Sequence, residues 1–367
     1  MTMRTTLLII FFISFSSFLF SQTDTTLTDK EIQFRDSIAK VNQEAKVLQE
    51  AQESYNLGIS DFKTENYQKA ISSFNKTIDL KPDFYDAYLN RAASYYLINK
   101  FQEAYDDYSF LLKEKDAEEI AVLEKRAEVG LYWGKYDLAI NDYNTLIKLF
   151  PSNYLYHYDK ASAQFLSEDY DGAIASLNKS IAINAKNADA YNDRGSCYRK
   201  KGDLETAVLD YQKAISIDNN KAFIYNNLGA VKRKLKDFKG AMSAFDMAIQ
   251  IDPEYYLAYN NRGSMLMDQE KYDEAIVDFN KAISKNSKYE IAYNNRGVAY
   301  YKKHDYKKAI KDFDKAIQLD ANYVSAYLNR GIAKEMDHDP EGACKDWKKA
   351  MELGSEAAKK FYTNQCQ

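Results

Sequence analysis

The sequence is 367 residues long, 46% hydrophobic and 28% charged, with a formal net charge of −4. This is enough apolar material for a large core, and the mild, mixed charge excludes the strongly basic surface of a nucleic-acid binder. The three histidines lie far apart, and the chain contains no H-E-x-x-H, C-x-x-C, phosphate-binding loop or G-x-S-x-G, so no metal, cofactor or catalytic site is expected.

The chain opens with MTMRTTLLIIFFISFSSFLFSQ. Arg4, an apolar run from Leu7 to Phe20 and the small Ser21 have the layout of a secretory signal peptide, cut near Ser21 and Gln22. The run of 14 residues is short of a membrane span, which needs about 20. No cysteine follows it to carry a lipid anchor, and no second apolar segment of spanning length appears downstream. Residues 1–21 are therefore expected to leave, and the mature chain to be secreted or periplasmic with no membrane span.

Residues 22–50 read as a polar linker followed by a helix. Thr28 and Glu31 in TDKE have the spacing of a capping box, and Ile32, Ile38, Val41, Ala45 and Leu48 follow at roughly helical intervals.

From residue 51 onward the chain repeats itself. AYNNRG occupies 258–263 and 292–297, with AYNDRG at 190–195, IYNNLG at 224–229 and AYLNRG at 326–331, so that Gly195, Gly229, Gly263, Gly297 and Gly331 fall 34 residues apart. Nine units follow: 51–84, 85–119, 120–153, 154–187, 188–221, 222–255, 256–289, 290–323 and 324–357. The slots of each unit are counted so that this small residue is the eighth. Slot 20 is alanine in all nine units, from Ala70 to Ala343, and slot 24 is a large apolar residue, as in Phe74, Tyr108, Phe245 and Trp347. Slots 17, 20, 21, 24, 27 and 28 make one helical stripe. Tyrosine at slot 4 and small residues at slots 3, 8 and 10 make the first half a second helix. Pro82, Pro151 and Pro253 at slot 32, and doublets such as Gly202-Asp203 and His304-Asp305, punctuate the hairpins. Asp339-Pro340 reads as an N-cap with proline at the first helical position, so the DHD of 337–339 is a turn and cap rather than a cation site.

This pattern resembles the tetratricopeptide repeat (TPR) family, over residues 51 to about 357. The departures are arginine at slot 7 (Arg91, Arg126, Arg194, Arg262, Arg296, Arg330), where the family often has leucine, alanine instead of glycine at slot 8 in units two to four, and one inserted residue near KEKDAEEI (113–120). With Gly130, that insertion is expected to alter the twist locally or to make a hinge. The resemblance implies an all-α, right-handed α-solenoid, a superhelix of nine helix hairpins. It further implies that the first helix of each hairpin lines a concave groove through slots 2, 5, 6, 9, 12 and 13.

In those slots, asparagines recur: Asn90, Asn227, Asn261, Asn295 and Asn329 at slot 6, and Asn260 and Asn294 at slot 5. An amide side chain can both donate to and accept from the backbone of an extended peptide. Slots 12 and 13 are apolar in units one to four (Phe62, Tyr96, Leu97, Tyr132, Phe165, Leu166) and basic later (Arg199, Lys200, Arg233, Lys234, Lys302), which would favour an acidic or carboxylate-bearing partner. Some family members clamp a chaperone's C-terminal carboxylate with lysine at slot 5 and basic residues at slots 2 and 6; slot 5 has no lysine here and slot 2 no basic residue, so that activity is not implied.

At the C-terminus, Gly354-Ser355 looks like a C-cap followed by an N-cap, which makes 356–367 a capping helix. Cys344 and Cys366 lie 10 and 11 residues from that turn, and equal arms of an antiparallel hairpin place them side by side, so a disulfide is expected. Cys197 reads as an unpaired core cysteine. The expected function is a non-enzymatic protein–protein interaction scaffold that holds a peptide segment or partner protein in its groove. A glycan or cell-wall binder is the alternative, and self-association stays open.

Overall fold

The computed structural model describes residues 28–114 and 119–366. The expected signal peptide and the expected polar linker up to residue 27, together with residues 115–118 of the insertion, lie outside them. The described residues form nineteen helices and no strand.

Two compact units divide the chain, one ending at Val129 and one running from Gly130 to Gln367. The first contains α1 (Asp29–Lys63), α2 (Tyr67–Leu80), α3 (Tyr85–Leu97), α4 (Phe101–Leu111) and the start of α5 (Glu119–Tyr132). The second continues with α6 (Tyr136–Leu149), α7 (Tyr154–Leu166), α8 (Tyr170–Ile183), α9 (Ala188–Lys201), α10 (Leu204–Ile217), α11 (Ala222–Lys234) and α12 (Phe238–Ile251). It ends with α13 (Tyr256–Asp268), α14 (Tyr272–Lys285), α15 (Glu290–Lys302), α16 (Tyr306–Leu319), α17 (Val324–Met336), α18 (Pro340–Glu352) and α19 (Glu356–Gln365). Within each unit consecutive helices pack on one another, α1 to α4 in the first and α6 to α19 in the second, hairpin against hairpin, the arrangement of an α-solenoid.

Residues 29–50 do not make a separate helix. They continue without a break into the first helix of unit one, giving the 35-residue α1. Nothing in 29–66 breaks the backbone hydrogen-bond ladder before Thr64. At the other end of that helix, the Glu31 carboxylate accepts from the Thr28 N–H at 2.9 Å, closing the N-terminus.

In the six repeats with glycine at slot 8 the slot-24 side chain is buried against it. Phe74, Phe245 and Phe279 are fully enclosed. At Gly229 an added Cβ would stand 2.6 Å from the Phe245 ring, which explains why this position is glycine: the ring occupies the space a side chain would need.

The turn inside each hairpin places slot 15 in the left-handed region in all nine units, with φ between 60° and 87° from Glu65 to His338. Only Gly134 and Gly202 among these are glycine. The strain of order 1 kcal/mol at a non-glycine residue is offset by a Schellman closure, in which the slot-16 N–H reaches the slot-11 carbonyl, as from Asn66 to Asp61 at 2.8 Å. His338 and Asp339 take these roles: His338 has φ +65°, and the Asp339 carboxylate accepts from the Gly342 N–H at 2.9 Å. Among the described residues, no group of acidic, cysteine and histidine side chains is arranged to hold a metal.

The slot-7 arginines have a partner the sequence reading missed. Arg194 grips Asp210 with two parallel hydrogen bonds of 2.8 and 2.6 Å, and donates a third, of 2.7 Å, to Asn178 in the preceding hairpin. Arg91, Arg262, Arg296 and Arg330 repeat the arrangement with Asp107, Asp278, Asp312 and Asp346. Each of these guanidiniums also lies within 6 Å of the slot-4 tyrosine ring, as Arg194 does over Tyr191 at 5.3 Å. The signal was present in the chain: slot 23 is aspartate in the six units with arginine at slot 7, and serine or alanine in the three without. The arginines replace a leucine contact with a planar fork that locks three helices together.

Helix α19 is fixed to α18 by a disulfide between Cys344 and Cys366, whose Cα atoms are 5.7 Å apart, and by Trp347 stacked on Phe361 with ring centroids 5.1 Å apart. Its N-cap is Ser355, whose hydroxyl oxygen accepts from the Ala358 N–H at 3.2 Å.

Two outcomes follow from this packing. Arg262→Ala leaves the Asp278 carboxylate buried without its fork and is expected to cost about 3 kcal/mol, with most of the loss recovered in Arg262→Leu/Asp278→Leu, as measured by thermal unfolding. Cys366→Ser removes a crosslink worth roughly 3 kcal/mol and is expected to strip hydrogen-exchange protection from α19 while leaving α13–α16 unchanged.

Candidate functional site

The first helices of the hairpins carry the predicted binding residues, and their polar side chains turn out to be engaged with one another. Asn227 Nδ2 donates to Asn192 Oδ1 at 3.0 Å, Asn261 to Asn226 at 2.9 Å, Asn295 to Asn260 at 3.0 Å and Asn329 to Asn294 at 3.0 Å. Every rung joins slot 5 of one unit to slot 6 of the next, 35 residues on. In the N-terminal unit Asn90 makes the same rung to the Tyr55 hydroxyl, at 3.1 Å.

The ladder revises the expectation for slot 5. Asn260 and Asn294 are 4% and 6% exposed, so they lie between hairpins and their carbonyl oxygens are already used. A polar group buried in this way needs a partner inside the fold, and the next repeat supplies it. The slot-6 asparagines are half-buried; Asn90 spends its second amide hydrogen on the Asp86 carbonyl at 2.8 Å, whereas Asn227, Asn261, Asn295 and Asn329 each keep one for a ligand.

One rung differs. Between α7 and α9 the Tyr158 hydroxyl donates to Asp193 Oδ2 at 2.6 Å, and Asn192 Nδ2 donates to Asp193 Oδ1 at 2.9 Å. Burial pushes the Asp193 carboxyl above its ordinary range, against the pull of those two donors. Beside this rung a cavity of about 430 Å³ opens, with Phe165 and Leu166 on one side and Ser196, Arg199 and Asn227 on the other. Cys197 also lines it, fully buried and unpaired, and burial pushes its thiol up to about 12, too high for a nucleophile at neutral pH.

The cavity lies where slots 12 and 13 change from apolar to basic. Lys200, Lys234 and Lys302 are exposed at slot 13. Arg233 at slot 12 is tied to Asp268 of the next unit by bonds of 2.5 and 2.9 Å, so it is not available as a free cation. The predicted residues thus fall into three groups: buried slot-5 amides, half-buried slot-6 amides and exposed slot-13 lysines. Cys344 and Cys366 stand apart at the C-terminal end. The sequence reading did not single out Asp193, whose one signal was a carboxylate in a slot that holds amides in the units after it.

At this cavity burial keeps the Cys197 thiol protonated, and among the described lining residues there is no histidine.

Tetratricopeptide repeat models match residues 55–117, 126–188, 176–208, 224–255 and 291–323, and a TPR repeat model matches 195–236 and 263–304. No curated protein shows significant similarity to the sequence. Among solved structures, a tetratricopeptide repeat protein from Parabacteroides merdae is 20% identical with a TM-score of 0.56, covering 68% of this chain and 99% of that one. The APC/C hetero-tetramer Cut9-Hcn1 is 13% identical with a TM-score of 0.54, covering 86% of this chain and 76% of that one. MamA protein is 28% identical over 47% of this chain and 94% of its own, at a TM-score of 0.40. The repeat matches span most of the chain and the two larger likenesses share its hairpin architecture: the chain belongs to the tetratricopeptide repeat family.

Proposed function

We propose that the protein is a non-enzymatic scaffold working outside the cytoplasm, which holds an extended segment of a partner protein along the first helices of its hairpins. The tetratricopeptide repeat fold is an interaction scaffold, and no enzymatic family matches the chain.

The observation that carries the groove reading is the combination on one set of helices: a regular row of half-buried amides with hydrogen-bonding capacity left over, a cavity opening beside it, and exposed lysines at its edge. An extended peptide presents an amide or carbonyl every few ångströms, the chemistry such a row meets. The basic slots Lys200, Lys234 and Lys302 favour an acidic segment. Location outside the cytoplasm is supported by Arg4 with the run Leu7 to Phe20, and by the Cys344–Cys366 disulfide, a bond that persists in oxidising compartments.

Photocrosslinking in the native cell tests this reading. With Lys302→p-benzoylphenylalanine on a first helix, a discrete protein adduct is expected. With the same residue replacing Leu209 or Val277, which are 65% and 58% exposed on second helices, no adduct is expected. Equal adducts from both faces would sink the groove reading, and polysaccharide adducts alone would establish the glycan alternative in its place.

A further inference from the structure

Resting on that groove reading, the geometry points to a specific occupant for the cavity between α7 and α9: we propose that it takes a bulky apolar side chain whose own segment carries a carboxylate, and that Arg199 binds the carboxylate.

Arg199 differs from its equivalent in the next repeat, Arg233. Both Arg199 and Arg233 stand at slot 12, and at Arg233 the structure ties that slot to slot 13 of the following unit, 35 residues on. For Arg233 that residue is Asp268, and the pair is bidentate, with Nε donating at 2.5 Å and a terminal nitrogen at 2.9 Å. For Arg199 the residue 35 positions on is Lys234, a second cation. The internal counter-ion that satisfies Arg233 is therefore missing from the Arg199 position.

The consequence is visible at the atom concerned. Arg199 Nε is buried and has no hydrogen-bond partner, one of three such side-chain nitrogen or oxygen atoms among the described residues, and the one that belongs to this cavity. Leaving a buried donor of a charged group unmade is costly, so the site favours any ligand that brings an acceptor. The same guanidinium stands beside the Tyr211 hydroxyl, and Lys200 and Lys234 add positive charge on neighbouring exposed positions. A carboxylate is the group that matches this fork, as Asp268 already shows one repeat later.

The other wall selects what the carboxylate is attached to. Phe165 is half-buried and Leu166 is 49% exposed, and both line the cavity opposite Arg199. Covering them gains the transfer free energy of apolar surface, which a small polar anion would not supply. Asn227 lies alongside with an amide hydrogen for the main chain of the segment. The ligand class is thus an acidic-apolar peptide segment, such as phenylalanine or leucine next to glutamate or aspartate.

Fluorescence anisotropy on the purified full chain tests this, with the fluorescein-labelled peptide Ser-Gly-Phe-Glu-Gly-Ser-amide as probe. Exchanging its glutamate for glutamine, or its phenylalanine for serine, is expected to weaken binding at least tenfold. On the protein side, Arg199→Gln is expected to reduce binding of the acidic probe to the level of the glutamine probe. Lys234→Asp, at an exposed position, gives Arg199 the internal carboxylate that Arg233 has, and is expected to abolish the preference for the acidic probe without lowering the melting temperature. No binding, equal binding of the glutamate and glutamine probes, or an unchanged preference in Lys234→Asp would each overturn the proposal. If Lys302 still crosslinks a partner in cells after such a result, the groove reading stands and only this assignment of the cavity falls.

Discussion

A ring at slot 24 resting against a slot-8 residue with little or no side chain is the contact on which the rest of this structure depends. It decides how closely the two helices of a hairpin approach, and therefore which side chains of the first helix remain on the outer side. At Gly229 and Gly297 the Phe245 and Phe313 rings stand closer than any Cβ would permit. Where slot 8 is alanine the partner varies, Leu177 with Ala161 and Tyr108 with Ala92, both partners 2% exposed. Because this contact recurs, the hairpins within each compact unit stack in a common register, and residues 35 apart meet again and again.

On that register two polar systems are laid. The arginine and aspartate forks tie each hairpin internally and reach back to the one before, so they hold the stack together from its second-helix side. The asparagine rungs tie consecutive first helices. Both are buried enough that leaving one partner out would strand the other. A scaffold whose core is spread along its length has no single large core to enforce alignment, and directional bonds between neighbours supply that alignment locally.

Unspent hydrogen-bonding capacity appears where the regularity lapses. The rung from Tyr158 to Asp193 replaces an amide pair with a carboxylate, and Arg199 lacks the counter-ion that Arg233 has in Asp268. These irregular positions border the same cavity. In a repeat protein an unmatched residue stands out against its own copies, and the copies show what a satisfied version looks like.

Helix pairing, the small-against-large contact and the turn positions were legible in the sequence by itself, because a 34-residue period repeats each of them nine times and helical spacing leaves one way to read the stripes. The pairing of Arg262 with Asp278 was also written there, in the joint occurrence of slots 7 and 23, though a spacing of 16 residues matches no period of a single helix and so drew no attention. Only the tertiary structure decided that Asn260 and Asn294 are consumed between hairpins, that the 29–50 segment runs unbroken into the first repeat, and that Arg199 Nε is left without a hydrogen-bond partner. The physical reason is common to all three. Periodicity along one helix says which face a residue occupies, but whether its hydrogen bonds are already spent depends on what the neighbouring helix places opposite, and that is set by the approach and register of the packed chains.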